Sequence, residues 1–454
     1  MNKEVYACNN CGWESIGWIG KCGGCGNWDT LELQEGGLSA SSSKGQKESI
    51  DSSITISPLK DIDISLEKRI GSGFVEFDTV LGGGFVIGSA VLISGLPGVG
   101  KSTLALEVLI NMARDGLSVL YISSEESIQQ VSRRFARVKK QTKNDELTLN
   151  NIVIVEGKEF KSVISKIKEL KPACIVWDSL QSFYMSEVGG VFGGITQIKS
   201  ICNEILKYTR KNKTISIIIG QVNKEGIVAG PMVVEHMVDA LFSIEAIQES
   251  EMRIVRTQKN RFGSTMEVGV FEMNEGGMKD YGDLKFNLLE KDADVGVATT
   301  VLLEGNRVFP IEVQALVVPS VYSMPKRTAQ GISRSKVEML IAIMSKVMKI
   351  QLSKKDVFVN VSGGFNVREP TVDLAIIASI LSSAKNIPLS AFSVYCGEVS
   401  LSGMIVAPPM LEKRVSFCEK LGFSNFYANS NEKVKGKIFE RVERITGLQV
   451  TGNK

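Results

Sequence analysis

The sequence predicts an α/β protein whose main body is a mostly parallel sheet covered on both faces. Three observations lead there. Short apolar runs such as AVLISG, ACIVWDS and TISIIIGQ read as strands with no polar face. Stretches of helical spacing lie between them, STLALEVLINMARDG foremost. Strand–helix alternation of this kind is how parallel strands are joined.

The chain has 454 residues, room for two or three domains. Its 53 basic and 50 acidic residues nearly cancel, so a nucleic-acid partner has to be argued from local patches. MNKEVYACNN lacks the apolar stretch of a secretory signal. No apolar run approaches the roughly 20 residues of a membrane helix. A cytoplasmic protein without a membrane partner is expected. Eight cysteines in this length do not suggest a disulfide framework.

Four of those cysteines, Cys8, Cys11, Cys22 and Cys25, fall in the first 25 residues as two Cys-x2-Cys pairs ten residues apart. Such pairs let four thiolates close a tetrahedral site, so structural Zn²⁺ is expected over 1–35. With every position filled by protein, no catalytic metal chemistry follows. Trp13, Trp18 and Trp28 are expected to pack this small module rather than stack on a partner. A Ser-rich stretch over 36–60 reads as a flexible linker.

The main α/β domain is expected over 61–290. Its first apolar strand runs into GLPGVGKST: Gly95, Leu96, Pro97, Gly98, Val99, Gly100, Lys101, Ser102 and Thr103. This pattern cradles nucleotide phosphates on backbone N–H groups. Lys101 reaches the β- and γ-phosphates and Ser102 holds Mg²⁺, so ATP with Mg²⁺ is expected. Hydrolysis also needs a metal-side acid and a group that orients water. Asp178 ends the strand CIVWD, the place for the first. Glu125 and Glu126 follow YISS and are candidates for the second; acids are also favoured at a helix start, and the two readings are compatible because the site sits at that helix start. Arg133, Arg134, Arg137, Lys139 and Lys140 form a basic run that reads equally as DNA contact or as a solvated face. His236, the only histidine, reads as structural.

A second α/β domain is expected over 291–454. VGVATTVLLEG and RVFPIEVQALVV look like paired strands, with three helical stretches after them.

Two further stretches, NKEGIVAGPMVVEHMVD and KNRFGSTMEVGVFEM, together with the cysteine module and the phosphate loop, resemble the bacterial RadA (Sms) family of DNA repair proteins. The resemblance runs from about Tyr6 to Phe426. It implies a RecA-like ATPase with a zinc finger and a C-terminal Lon-protease-like domain. It further implies a hexameric, nucleoid-associated ring that binds single-stranded DNA and drives branch migration or processing of recombination intermediates. Recombinase and replicative-helicase contacts are implied too. Lys259 and Arg261 match residues that contact a neighbouring subunit's nucleotide. DNA-facing loops should follow Asp178 and Gln221, with Lys199, Lys207 and Lys224 as phosphate contacts and Phe183, Tyr184 and Phe192 as stacking candidates.

The chain departs from the family in three places. Gln221 stands where His is usual, Leu96 where an acid is usual, and Val406 where Arg is usual. Lon-type peptidases use a Ser–Lys dyad. Here Thr371 stands at the nucleophile's place and Arg414 at the base's, with Lys413 adjacent. Arginine does not deprotonate in proteins, so no peptidase is expected. The alternatives to a DNA motor are an ATP-dependent Lon-type protease and a signalling ATPase that acts on protein partners.

Overall fold

A computed structural model describes residues 5–8, 14–23, 26–33, 68–139, 146–221, 232–247, 251–281, 294–362, 366–429 and 437–438. By packing, the chain divides into two compact units. One is Met1–Ala246 with Met252–Tyr281, and the other is Ile247–Glu251 with Gly282–Lys454. The expected linker over 36–60 lies outside the described residues.

The N-terminal module is a three-stranded antiparallel sheet of β1 (Val5–Cys8), β2 (Glu14–Ile16) and β3 (Leu31–Leu33), with β1 in the middle. A short ribbon, β4 (Arg69–Ile70) with β5 (Phe85–Val86), brackets α1 (Val75–Leu81). The sheet that follows runs through β6 (Ala90–Gly95), α2 (Lys101–Arg114), β7 (Val119–Ser123), α3 (Ile128–Lys139), α4 (Glu146–Asn150), β8 (Ile152–Glu156), α5 (Phe160–Leu170), β9 (Cys174–Asp178), α6 (Ile195–Asn212), β10 (Ile215–Ile219), α7 (Met232–Met237) and β11 (Ala240–Ala246). An antiparallel extension adds β12 (Met252–Asn260), β13 (Val268–Asn274) and β14 (Gly277–Asp280).

The nine strands lie in the order β14-β13-β12-β11-β6-β10-β9-β7-β8. The six from β11 to β8 are parallel. Every residue of β6, β7 and β10 is buried, as expected of strands covered on both faces. The edge strand β8 is only half-buried along its length. One face packs against α2, with Phe77 edge-on to Phe242 at 5.7 Å. The other packs against α5 and α6, with Trp177 between Phe160 and Phe183. The phosphate loop and both candidate acid positions sit at the C-terminal ends of β6, β9 and β7, on one edge of the sheet with β10 between β6 and β9, where open α/β sheets place their ligands. The parallel register pairs Ser123 with Asp178, so the chain leaves β7 and β9 at the same level.

The second unit holds a seven-stranded sheet of β15 (Val297–Glu304), β16 (Arg307–Pro319), β17 (Arg327–Gln330), β18 (Lys355–Val361), β19 (Ser393–Tyr395), β22 (Asn425–Ala428) and β23 (Lys437–Ile438), with β20 (Glu398–Val399) and β21 (Ile405–Val406) as a separate pair. The expected strand pair is the β15–β16 hairpin, closed by Gly305 and Asn306. Its helices are α8 (Arg334–Lys346), α9 (Asp373–Lys385) and α10 (Leu411–Lys420). Ten consecutive residues of α9, Asp373 to Ser382, are buried, so this helix is the unit's core element.

Candidate nucleotide site

The turn from β6 to α2 forms the floor of a cleft of about 400 Å³. Gly95 is held at φ 152° and Gly100 at 109°. A Cβ on Gly95 would stand 2.5 Å from Ile244 O, so only glycine fits there. Helix α2 has no side-chain cap, which leaves its first N–H groups directed at the cleft. Lys101 Nζ donates to Gly95 O at 2.7 Å and Leu96 O at 2.9 Å. Burial pulls its ammonium below the ordinary range, and Asp178 and Glu125 pull the other way. Leu96 is half exposed and does not line the cleft, so its departure from the family pattern leaves the lining unchanged.

Asp178 lies across from Lys101 at the end of β9. Burial raises its carboxyl above the usual range, opposed by hydrogen bonds from Tyr121 and Ser102 and by the Arg134 charge. Tyr121 Oη donates to Asp178 Oδ2. Ser102 and Asp178 thus meet where a phosphate-bound Mg²⁺ needs a hydroxyl and a carboxylate, and the donor set fits that ion.

The two glutamates have different surroundings. Glu125 accepts hydrogen bonds from the hydroxyls of Ser179 and Ser182 and from Gln221 Nε2 at 3.0 Å. Glu126 pairs with Arg134 Nη2 at 2.5 Å, and its backbone is tied to Ser123 Oγ. Neither caps the helix that follows. That role falls to Ser127 with Gln130, whose side-chain amide accepts from Ser127 N at 2.9 Å, and to Glu156, which accepts from Ile128 N. Gln181 grips the Gln221 backbone from both sides, accepting from its N–H and donating to its carbonyl, each at 3.3 Å.

The KNRFG residues are built into the ATPase unit and do not line this cleft. Lys259 Nζ donates to the carbonyls of Glu235, His236 and Val238 at 2.8, 3.1 and 2.8 Å, closing the end of α7. Burial and the Arg261 charge lower its ammonium pKa against Asp239 and Glu235. Asn260 Nδ2 donates to Val80 O and Leu81 O at the end of α1. Arg261 pairs with Asp239 at 3.0 Å. Arg69 reaches Phe262 O at 2.9 Å, and a Cβ on Gly263 would stand 3.1 Å from Gly82 Cα.

Lys199 and Lys207 are exposed on α6, with Lys207 paired to Glu204. Lys224 lies outside the described residues. Phe183 is wholly buried against Phe160 and Trp177, which removes it as a stacking candidate; Tyr184 and Phe192 pack together, and Phe192 is exposed. Arg134 and Arg137 line the nucleotide cleft, Arg134 half-buried and Arg137 exposed at its mouth, while Arg133 is exposed and does not line it. The Lys139 side chain and Lys140 lie outside the described residues. His236 is exposed, with its carbonyl serving Lys259.

In the N-terminal module Cys8 and Cys22 are both buried, and Gly26 N bonds back to Cys22 O at 2.9 Å in a tight knuckle. Buried thiols in such a turn suit Zn²⁺. Cys11, Cys25 and Trp13 lie outside the described residues. Trp18 and Trp28 are exposed at 58% and 72%, contrary to the packing expectation. The module's core is Cys8, Cys22 and Leu31 with Tyr6 against it, too small to enclose two indoles.

In the second unit Arg414 is fully buried. It donates to Pro409 O, Val301 O and the Glu369 carboxylate, and lies 3.8 Å from Cys396 Sγ. Thr371 also bears on that thiol electrostatically, while its hydroxyl oxygen is buried and makes no hydrogen bond among the described residues. Thr371 and Arg414 thus share Cys396 as a neighbour, whereas Lys413 is exposed.

Sequence reasoning missed Tyr121, Ser179, Ser182 and Gln181. Tyr121 carried a signal, because a tyrosine inside a buried aliphatic strand needs a partner for its hydroxyl. The serines carried none, since only the turn after β9 aims them.

Comparison with known proteins adds three findings. Residues 70–281 match the family model of the KaiC ATPase, and residues 6–32 match a rubredoxin metal binding domain. DNA repair protein RadA of Bacillus subtilis (strain 168) is 37% identical over 93% of this chain and 91% of that protein. The RadA of Campylobacter jejuni subsp. jejuni is 39% identical over 93% of each. A solved KaiC-like protein from Pyrococcus horikoshii OT3 covers 47% of this chain and 99% of its own, at 19% identity and a TM-score of 0.38. The chain belongs to the RadA family: a metal-binding ribbon joined to a RecA-like ATPase unit and a further α/β unit.

Proposed function

We propose that this RadA-family chain is a DNA-dependent ATPase of recombinational repair, which binds single-stranded DNA and drives branch migration or processing of recombination intermediates. The observation that carries the ATPase half is the convergence of Lys101, Ser102, Asp178 and Glu125 on one cleft beside a glycine loop. The DNA half rests on the kinship with RadA proteins that are named for DNA repair.

In this reading the loop N–H groups and Lys101 hold the β- and γ-phosphates. Ser102 and Asp178 hold Mg²⁺, which supplies charge neutralisation on the phosphates. Glu125 orients the attacking water, because its carboxylate makes no ion pair within 4 Å among the described residues, Lys101 acting on it only at longer range, and is aimed by three neutral donors. Glu126 is neutralised by Arg134 and is the weaker candidate. Gln221 links Glu125 to the segment that begins at residue 222, which the family resemblance reads as DNA-facing. In a homohexameric ring, Lys259 and Arg261 are offered to the neighbouring subunit's nucleotide, where a cation stabilises charge on the transferring phosphate. Lys199, Lys207 and Lys224 face DNA phosphates. Recombinase and replicative-helicase partners belong to the same reading, as does a cytoplasmic, nucleoid-associated location.

We read 1–35 as the zinc module, 36–60 as linker, 61–290 as the ATPase domain and 291–454 as a Lon-protease-like scaffold without peptidase activity. The test is ATP hydrolysis with and without single-stranded DNA, at several salt concentrations, for wild type and Lys101→Ala. DNA stimulation that is lost in the variant and falls as salt rises supports the proposal. Hydrolysis indifferent to DNA at every salt concentration overturns it in favour of protein partners.

A further inference from the structure

We infer that Arg134 is a phosphate-contacting residue of the nucleotide cleft, supplied in cis, and that it distinguishes a bound triphosphate from a diphosphate. This deepens the ATPase reading and rests on it. Four observations carry it. First, Arg134 lines the cleft together with Lys101, Glu126 and Asp178. Second, its side chain is only 19% exposed, so it is not a residue of a solvated face. Third, its Nη2 is paired with Glu126 while its Nη1 is buried and without a hydrogen-bond partner among the described residues. A buried guanidinium N–H left unpaired is costly, and the cleft that Arg134 lines is a place from which an acceptor can reach it. Fourth, its charge acts on Asp178 and Tyr121, which places it at the metal-side end of the cleft.

That end is where the third phosphate of a nucleotide held by this loop lies. A γ-phosphate oxygen there gives Nη1 its missing acceptor and competes with Glu126 for Nη2. A guanidinium suits this task better than an ammonium, because its fork can hold a carboxylate and a phosphate oxygen at once. Arg137, one turn on along the same helix face, lines the same cleft and adds positive charge at its mouth. The diphosphate product lacks the oxygen that Nη1 needs, so it gains little from Arg134.

The test is equilibrium binding of fluorescent ADP and of a fluorescent, β–γ imido-bridged ATP analogue, both with Mg²⁺. The full-length chain is compared with its Arg134→Ala, Arg134→Lys, Glu126→Gln and Lys101→Ala variants. The expected result is triphosphate binding weakened about tenfold or more in Arg134→Ala, as for the loss of a charge-assisted hydrogen bond, with ADP binding changed less than about threefold. The retained ADP binding shows that the variant is folded. Arg134→Lys recovers part of the preference and Glu126→Gln keeps it. Equal loss of both nucleotides, or of neither, overturns the inference. So does a Glu126→Gln variant that reproduces the loss, since Arg134 then acts only by bracing Glu126. Binding that needs Lys101 but ignores Arg134 sinks this inference alone. A wild type that binds neither nucleotide sinks the ATPase reading and the inference together.

Discussion

Gln221 Nε2 donates to both carboxylate oxygens of Glu125, at 3.0 and 3.3 Å. This joins the end of β10 to the acid beyond β7 across the C-terminal edge of the sheet. Two strands that are not neighbours are thereby connected at the nucleotide cleft. A neutral amide can hold Glu125 without cancelling its charge, which a cation in that place would do.

From this follows a division of labour between the two glutamates. Glu125→Gln should lower kcat by about 10²- to 10⁴-fold, the range for loss of a positioned base, while nucleotide binding stays near wild type. Glu126→Gln should lower kcat far less. Gln221→Ala should leave the KM for ATP within about threefold and lower the DNA-stimulated rate on the order of 10- to 100-fold, as for a misaimed group. Steady-state hydrolysis over a DNA titration checks all three. A larger loss in Glu126→Gln than in Glu125→Gln would reverse the assignment.

Tyr121 supports Asp178 from beneath. Burial pushes the Asp178 carboxyl up, and the Tyr121 hydroxyl is the first of the groups that oppose the rise. Tyr121→Phe removes a donor to the ionised form, so the carboxyl shifts further up. The acid limb of the pH–rate profile should then move to higher pH, and more Mg²⁺ should be needed for half-maximal rate. An unchanged profile would show that Tyr121 only fills space.

The fold was readable where burial is two-sided. β6, β7, β9 and β10 are mostly apolar because both their faces are covered, and the phosphate loop follows the first of them. Asp178 and the Glu125–Glu126 pair were findable for a related reason: parallel register brings the ends of β7 and β9 level. The chain direction after a strand end is not written in spacing, so the choice between Glu125 and Glu126 waited for the turn that aims one at Ser179 and Ser182. The face of α3 was hidden likewise. Its basic residues fall on more than one side, and only packing shows that Arg134 and Arg137 look into the cleft. The structural partners of Lys259 and Asn260 are backbone carbonyls, which carry no sequence signature at all.

Glu107 gives the ATPase unit a pH dependence. It is buried on α2, accepts from Met278 N at 3.2 and 2.9 Å, and burial raises its carboxyl to about 7. Its folded pKa lies above its unfolded value, so its contribution is complete below the unfolded pKa of 4.5 and is lost as pH rises through 7. The full span is worth at most about 3 kcal/mol, from the size of the shift. Glu107→Gln keeps an acceptor for Met278 without a charge to desolvate. Unfolding of the ATPase unit, followed by calorimetry at pH 5 and pH 8, should show a loss of stability in wild type that is much reduced in the variant.

Arg414 decides what the second unit can do. Its guanidinium is wholly buried, its Nε and Nη1 are bound to the carbonyls of Pro409 and Val301 at 2.9 and 2.7 Å, and its Nη2 is paired with Glu369. A group held this way serves as a structural tie between α10, β15 and the turn before α9. Arg414→Met leaves the Glu369 carboxylate without its cation and should destabilise this unit by about 3–5 kcal/mol, the usual cost of breaking a buried pair from one side. Arg414→Lys puts a potential base beside Thr371, the residue at the nucleophile position. An ammonium there inherits the same carbonyls and the same carboxylate, all of which favour its charged form. It therefore should not take a proton from Thr371, and the variant should degrade no casein with ATP present. Casein degradation in Arg414→Lys that disappears when Thr371→Ala is added would overturn the scaffold reading and make the second unit a peptidase one substitution from activity.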